Sequence, residues 1–304
     1  MSRSAAHDQR NAEFREAFGK PFELASAAQP TAVLVPEEAK KLGLAHYAED
    51  VPNSGGARVH WLGGGFALPP LQGHARFWKQ TVEQLEKRGK NLTVAVVEYS
   101  LTTEDGSGPR YPTQIKQAVE SLRYLIDKGN QTSNIIIGGD SAGGQLSLAI
   151  ISVILHGFQG IEPLKLDDKL AGMLLISPWV SFGVDAPSME ENKDKDCIPP
   201  DRLYLLSDAY ADSSDRNEFS EPHRADVSWW RSIPARSILN VYGGYEVFRD
   251  HIAEVGKALK DAGNQIENVE CAKEVHIDCI LDAHAEMEPG EMSSKVWEWL
   301  ASVI

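Results

Sequence analysis

Six short apolar segments recur along the chain, at residues 59–62, 92–97, 134–137, 171–176, 238–242 and 266–271. Segments of that length bounded by turn residues read as strands, because helices with a useful buried face run longer. Between the second and the third, Ile115, Ala118, Val119, Leu122, Leu125 and Ile126 return at spacings of three and four, the period of a helix laying one apolar side on a sheet. Helical patterns separate most of the others, and a long apolar stretch over 146–155 follows the third segment. Apolar strands alternating with helices predict an α/β fold, with a mostly parallel central sheet and helices on both faces. Ligands of such sheets bind beyond the carboxyl ends of the strands.

Two regions break the alternation. The first fifty residues are rich in Ala, Glu and Lys, with a helical pattern over 11–18 and prolines at Pro21, Pro30, Pro36 and, just beyond, Pro52. Residues 181–231 are dominated by Asp, Glu, Ser and Pro around Ile198-Pro199-Pro200, with a helical pattern over 201–210. Both are too long for ordinary connections. Leu203, Leu205, Leu206 and Tyr210 give the second an apolar face, which favours packing over disorder. The expected organisation is an α/β domain over 51–304 with a helical cap inserted at about 181–231, and a further contribution to the cap from residues 1–50.

Composition narrows the partners. A net charge of −14 argues against nucleic acid, whose phosphates are bound mainly by Lys and Arg. No apolar run is long enough to span a membrane, and the polar, mixed-charge start lacks the apolar core of a signal peptide, so a cytoplasmic protein is expected. Cys197, Cys271 and Cys279 are an odd set at unrelated spacings, which predicts reduced thiols. Cys271, His276 and Cys279 match no common zinc spacing, and no metal site is expected.

The most informative stretch is Gly138-Gly139-Asp140-Ser141-Ala142-Gly143-Gly144, set between the third strand and the long apolar helix. Small residues two positions either side of Ser141 allow a sharp strand-to-helix turn that lifts its hydroxyl clear of the sheet. There it can meet a base from another loop, while the Ala142 N–H faces an anion forming on an attacked carbonyl. A second glycine run, Gly63-Gly64-Gly65-Phe66, follows the first strand, where backbone N–H groups can approach a ligand oxygen without a Cβ in the way.

These features resemble the α/β-hydrolase fold, in its hormone-sensitive-lipase-like branch and more narrowly its fungal small-molecule esterases. The similarity runs from about Arg58 to the C-terminus, and Gly-Asp-Ser-Ala-Gly-Gly is its most specific part. The resemblance implies Ser141 as nucleophile and an oxyanion hole formed by Gly64, Gly65 and Ala142. The family usually has a histidine before the glycine run; Leu62 stands here instead, and His60 lies two residues too early. Its acid belongs to an Asp-x-Leu-x-Asp segment, which Glu246-Val247-Phe248-Arg249-Asp250 resembles, so Glu246 takes the acid's place, with Asp250 in reserve. The base follows the last strand, which selects His276 over His284.

The implied chemistry is hydrolysis of carboxylic esters of small, apolar molecules through an acyl-serine, with no cofactor. Phe66 and Trp179 are expected at the substrate, with Trp229 and Trp230 as further aromatic candidates. The same triad serves an acyltransferase or lactone-forming cyclase of fungal secondary metabolism, in which a substrate hydroxyl replaces water. A third possibility is a non-catalytic small-molecule binding protein on the same scaffold, against which retention of His276 argues.

Overall fold

A computed structural model describes residues 4–19, 57–61, 66–68, 70–103 and 107–304, with the backbone alone for 57–61. Among them six strands, β1 (Ala57–Trp61), β2 (Leu92–Val96), β3 (Ile135–Asp140), β4 (Gly172–Ile176), β5 (Ile238–Gly243) and β6 (Ile266–Cys271), form one sheet in the order β2-β1-β3-β4-β5-β6. Every neighbouring pair is parallel. The predicted segments reappear with small changes at their ends. The largest is in β3, which runs on through Gly138, Gly139 and Asp140, because these pair with Leu174, Leu175 and Ile176 of β4. Their lack of side-chain bulk had the look of a turn.

Strand residues alternate between two cores. Ile135, Ile137, Met173, Leu175 and Ile238 join one face, covered by α3 (Thr113–Asp127), α4 (Ala142–His156) and α7 (Arg249–Asp261). Ile136, Leu174, Ile176, Leu239 and Val241 join the other, covered by α2 (Gln72–Glu86), α8 (Asp278–His284) and α9 (Glu291–Val303). Burial on both faces accounts for the near-continuous apolar runs of β3, β4 and β5, whereas the outer strands β2 and β6 are partly exposed. The predicted 115–126 helix is α3, and its recurring positions Ile115, Ala118, Val119 and Leu122 are fully buried.

Helix α4 is buried almost all round, from Ala142 to Val153, which its uniformly apolar sequence requires. One side lies on the sheet, and the chain between β4 and β5 reaches another: Gln145 Nε2 donates to Phe219 O (2.6 Å), and Trp229 Nε1 donates to Ser152 Oγ (3.0 Å). That connecting stretch carries two short helices, α5 (Pro187–Asn192) and α6 (Leu203–Tyr210). Near the other end of the chain, α1 (Ala5–Phe18) starts on a Ser4 cap and packs Phe14 against the core beneath α8. No helix among the described residues is long and apolar enough to cross a membrane.

Candidate active site

Ser141 occupies the single-residue joint between β3 and α4, with φ 52° and ψ −119°. Positive φ is strained for a residue with a Cβ, at a cost of about 1–3 kcal/mol, and persists only where the surroundings enforce it. Here its N–H donates to Ile176 O (2.9 Å), and its carbonyl accepts from Gln145 N (3.1 Å) and Trp179 N (2.9 Å). Ser141 is half-buried, whereas residues on both sides are buried, so the turn presents the serine outward. A Cβ on Gly144 would sit 2.7 Å from Pro178 Cβ, which leaves glycine as the residue that lets α4 start against the β4 exit loop. Ala142, fully buried, is the first residue of α4, where a helix leaves its N–H groups without intrahelical acceptors.

The loops leaving β5 and β6 cross backbone to backbone. Gly244 N donates to Cys271 O (2.8 Å) and Tyr245 N to Glu274 O (2.9 Å). A Cβ on Gly243 would lie 2.2 Å from Glu274 O, and one on Gly244 2.6 Å from Ala272 O, so this approach needs glycine at both positions. It brings the buried Glu246 to the buried His276, with Oε2 3.2 Å from Nδ1. The other oxygen, Oε1, accepts from Ser177 Oγ and Gly243 N. Because a carboxylate only accepts, this arrangement assigns the proton to Nδ1 and leaves Nε2 unprotonated in the neutral ring.

Burial alone would push the His276 pKa down, but the hydrogen bond and charge of Glu246, with the charges of Asp196 and Asp140, outweigh it and hold the pKa above the ordinary value. Among the hydrogen bonds of the described residues, none joins the Ser141 hydroxyl to His276. The two are linked through neighbours: Trp179, bound to the Ser141 carbonyl, stacks on Phe248 at 6.0 Å, and Phe248 meets the His276 ring edge-on at 5.1 Å.

The reserve candidates have other partners. Asp250 accepts from Ser188 N (2.8 Å) and Arg249 Nε (2.9 Å) at the start of α7. His284 closes α8 and packs its ring on Phe14 at 5.4 Å. Phe66 and Trp179 are both buried, with ring centres 6.0 Å apart; Phe66 stacks on Tyr210 of α6 at 3.6 Å, and Trp179 meets Phe182 at 4.9 Å. Trp230 is fully buried in the core and Trp229 packs against it. Leu62, Gly64 and Gly65 lie outside the described residues. All three cysteines are free and buried, and burial pushes each thiol pKa up.

Several polar residues at the site were given no role by the sequence. Ser177, buried with φ 47°, donates to Glu246 and accepts from Ile277 N (3.1 Å). Asp140 receives His74 Nε2 at 3.3 Å just before the nucleophile turn. Asp196 lies buried beneath both crossing loops. A strand-end position was the one clue to Ser177, and Asp196 is one acid among many in its stretch.

Residues 59–279 match the family described as alpha/beta hydrolase fold. Among curated proteins, the chain is 28% identical over 130 residues to steryl acetyl hydrolase 1 of Saccharomyces cerevisiae, covering 43% of this chain and 28% of that protein. It is 27% identical over 160 residues to the putative acetyl-hydrolase LipR of Mycobacterium tuberculosis, covering 53% and 46%. With carboxylesterase NlhH of the same organism it shares 26% over 219 residues, covering 69% and 62%. The chain thus spans less than two thirds of the length of these relatives. Among solved structures, an esterase from the bacterial hormone-sensitive lipase family superposes over the full length of both chains with a TM-score of 0.72 at 20% identity. Carboxyl esterase 2 of the fungus Tuber melanosporum superposes with a TM-score of 0.63 at 19% identity, over 80% of this chain and 76% of that one. With most of its sheet, its strained serine turn and its last-strand loops inside the matched stretch, the chain belongs to the α/β-hydrolase fold family.

Proposed function

We propose that the protein is a serine carboxylic ester hydrolase of the hormone-sensitive-lipase-like type, acting on esters of small, apolar molecules. The observation that carries this reading is the buried Glu246–His276 hydrogen bond, at the carboxyl ends of the same sheet whose β3 runs into Ser141. Similarity to proteins named acetyl hydrolase and carboxylesterase points to the carboxylic ester as the bond cleaved. The buried rings of Phe66, Trp179, Phe182 and Phe248 favour an apolar substrate. Residues 181–231 supply Phe182 and Tyr210 to that wall, which is the part a cap plays.

In this reading His276 Nε2 takes the Ser141 proton as Oγ bonds to the ester carbon, and the carbonyl π electrons move onto oxygen. The Ala142 N–H, with those of Gly64 and Gly65, holds that oxyanion. Collapse breaks the bond to the alcohol, which leaves with the proton from His276. Water then attacks the acyl-serine, gives a proton to His276, and the acid departs as Ser141 regains its hydrogen. Glu246 keeps the imidazole in the productive tautomer and stabilises its charged form. No step calls on a cofactor.

The test is labelling with a fluorophosphonate probe, adduct mapping by peptide mass spectrometry, and hydrolysis of p-nitrophenyl esters of graded chain length. An adduct confined to Ser141, lost in Ser141→Ala and His276→Ala, with turnover falling by several powers of ten in both, is the expected result. Folded protein that takes no label and cleaves no ester would overturn the reading. Product analysis with added alcohol separates hydrolysis from acyl transfer.

A further inference from the structure

The chain between β4 and β5 does more than cover α4: part of it lies beneath the crossing loops. Asp196 is fully buried and directs both carboxylate oxygens at backbone. Its Oδ1 accepts from His276 N (3.0 Å) and Cys197 N (2.7 Å), and its Oδ2 accepts from Val247 N (2.7 Å). One side chain thus grips the base residue itself and the residue immediately after the acid. Its neighbours fasten the remaining backbone groups of the acid loop. Asn192 Nδ2 donates to Glu246 O (2.8 Å) and Gly244 O (3.2 Å), and Ser188 Oγ donates to Val247 O (2.7 Å). From α1, Arg15 Nη1 donates to Asp196 O (2.6 Å), which fixes the backbone of the gripping residue in turn.

A buried carboxylate is costly, and three N–H bonds are what make it tolerable. Asparagine has nearly the same shape, but it offers one acceptor oxygen and places an N–H group where the second oxygen stood, so one of the two loops would lose its hold. We propose that Asp196 is a positioning residue for the Glu246–His276 pair, contributed by the β4–β5 insertion, which locks the relative placement of acid and base by holding the backbone of both loops. This rests on the proposed roles of Glu246 and His276.

The charge of Asp196 also acts on the site. The charges that act on it are His276 and, from the β5 exit loop, Glu246; Arg10 of α1 and Asp278 at the start of α8 act on the adjoining Cys197, and Asp140 at the end of β3 acts on His276. Burial first, with Glu246 adding to it and with His276 and the N–H bonds opposing, pushes the Asp196 pKa up to about 6. Its anion adds to that of Glu246 in holding a proton on His276.

The experiment measures the second-order rate of fluorophosphonate labelling at Ser141 from pH 5 to 9 in wild type, Asp196→Asn and Ser141→Ala. Turnover of p-nitrophenyl acetate and thermal unfolding by circular dichroism are measured alongside. Asp196→Asn is expected to label about ten- to a hundredfold more slowly at pH 8, as befits loss of a charge-assisted hydrogen bond. Its kcat is expected to fall by a similar factor with KM within about threefold. Its acid limb should move to lower pH, because one anion holding the His276 proton is gone. A merely structural aspartate would lower the unfolding temperature and leave labelling rate and acid limb in place, and that result overturns the proposal. If Asp196→Asn does not fold, Arg15→Ala, which frees the backbone of the gripping residue and keeps its carboxylate, decides: slower labelling at Ser141 with KM unchanged supports the proposal, and labelling at the wild-type rate defeats it. Wild-type protein that fails to label at Ser141 removes the triad reading itself, and the proposal with it.

Discussion

Nη2 of Arg10 lies 2.8 Å from Oδ1 of Asp278, two residues past His276, while the other oxygen of Asp278 accepts from Val275 N (2.7 Å). The same guanidinium pairs with Asp282 one turn along α8, and all three side chains are nearly inaccessible to solvent. The first described helix of the chain is therefore electrostatically joined to the loop that carries His276. Removing Arg10 takes the guanidinium from two buried carboxylates, leaving Asp282 with His7 and Asp278 with the Val275 N–H, and breaking a buried pair costs about 3–5 kcal/mol. We expect Arg10→Ala to lose stability on that scale in urea unfolding, and to lose far less when Asp278→Asn and Asp282→Asn are added.

Ser177 stands behind Glu246 as Glu246 stands behind His276, since its hydroxyl donates to the carboxylate and accepts from Ile277 N. Ser177→Ala removes a hydrogen bond to a charged group, worth about 1.5–3 kcal/mol. The expected result is a kcat about tenfold to a hundredfold lower, with little change in KM.

Since the base acts in its neutral form and its pKa is raised, chiefly by Glu246 against burial, activity should fall on acidification from above the ordinary histidine value of about 6.5. Glu246→Gln weakens that hold and is expected to move the acid limb of kcat/KM down as well as slowing the reaction. A pH–rate profile of the two proteins checks both statements.

Glu274 caps α9 by accepting from Glu291 N and Met292 N, and it sits close to Asp278 and Asp282. Burial, then the charge of Asp278, pushes its pKa from 4.5 up to about 8, and burial and Asp278 push that of Asp282 up in the same sense. The folded state therefore binds more protons than the unfolded chain between these limits. The contribution is fully present below about pH 4.5 and is lost as pH rises through about 8, the reverse of the usual carboxylate pattern. Thermal unfolding should show the midpoint falling between pH 6 and pH 9, with a smaller fall in Glu274→Gln.

Gly144 offers a test of the serine turn that touches no proposed catalytic group. Its missing Cβ would meet Pro178 at 2.7 Å (Cβ) and 3.0 Å (Cα), backbone and ring atoms with little freedom to yield. Gly144→Ala is expected to cost about 1–3 kcal/mol in urea unfolding through overpacking. It should also reduce the rate at which Ser141 is labelled.

How much of this was legible in the sequence follows from how local each cause is. Strands buried on both faces print themselves as apolar runs, and the face of α3 prints itself as a period, so both could be read to within a residue or two, apart from the glycine end of β3, which was missed by three residues. Ser141 stood out because its glycines, the strand before it and the helix after it are all neighbours in the chain. Glu246 and His276 were reached through the family resemblance, which places its acid and base after the last two strands, and their contact depends on Gly243 and Gly244 letting two loops touch. Ser177, Ser188, Asn192 and Asp196 could not be read this way. Each is a common polar residue whose burial arises only when three separate loops converge. Asp196 in particular shares its stretch with Glu190, Glu191, Asp194 and Asp201, none of which is buried.

The hold that Ser188, Asn192 and Asp196 exert on the acid loop bears on where the molecule can be recombined. Exchanging the whole β4–β5 connection with that of a relative would carry off the residues that keep the neighbouring loops in register, and the chimera would lose function for reasons unrelated to its new surface. Junctions placed after Asp196 and before β5 leave those fastenings with the parent, so that only α6 and the chain following it change hands.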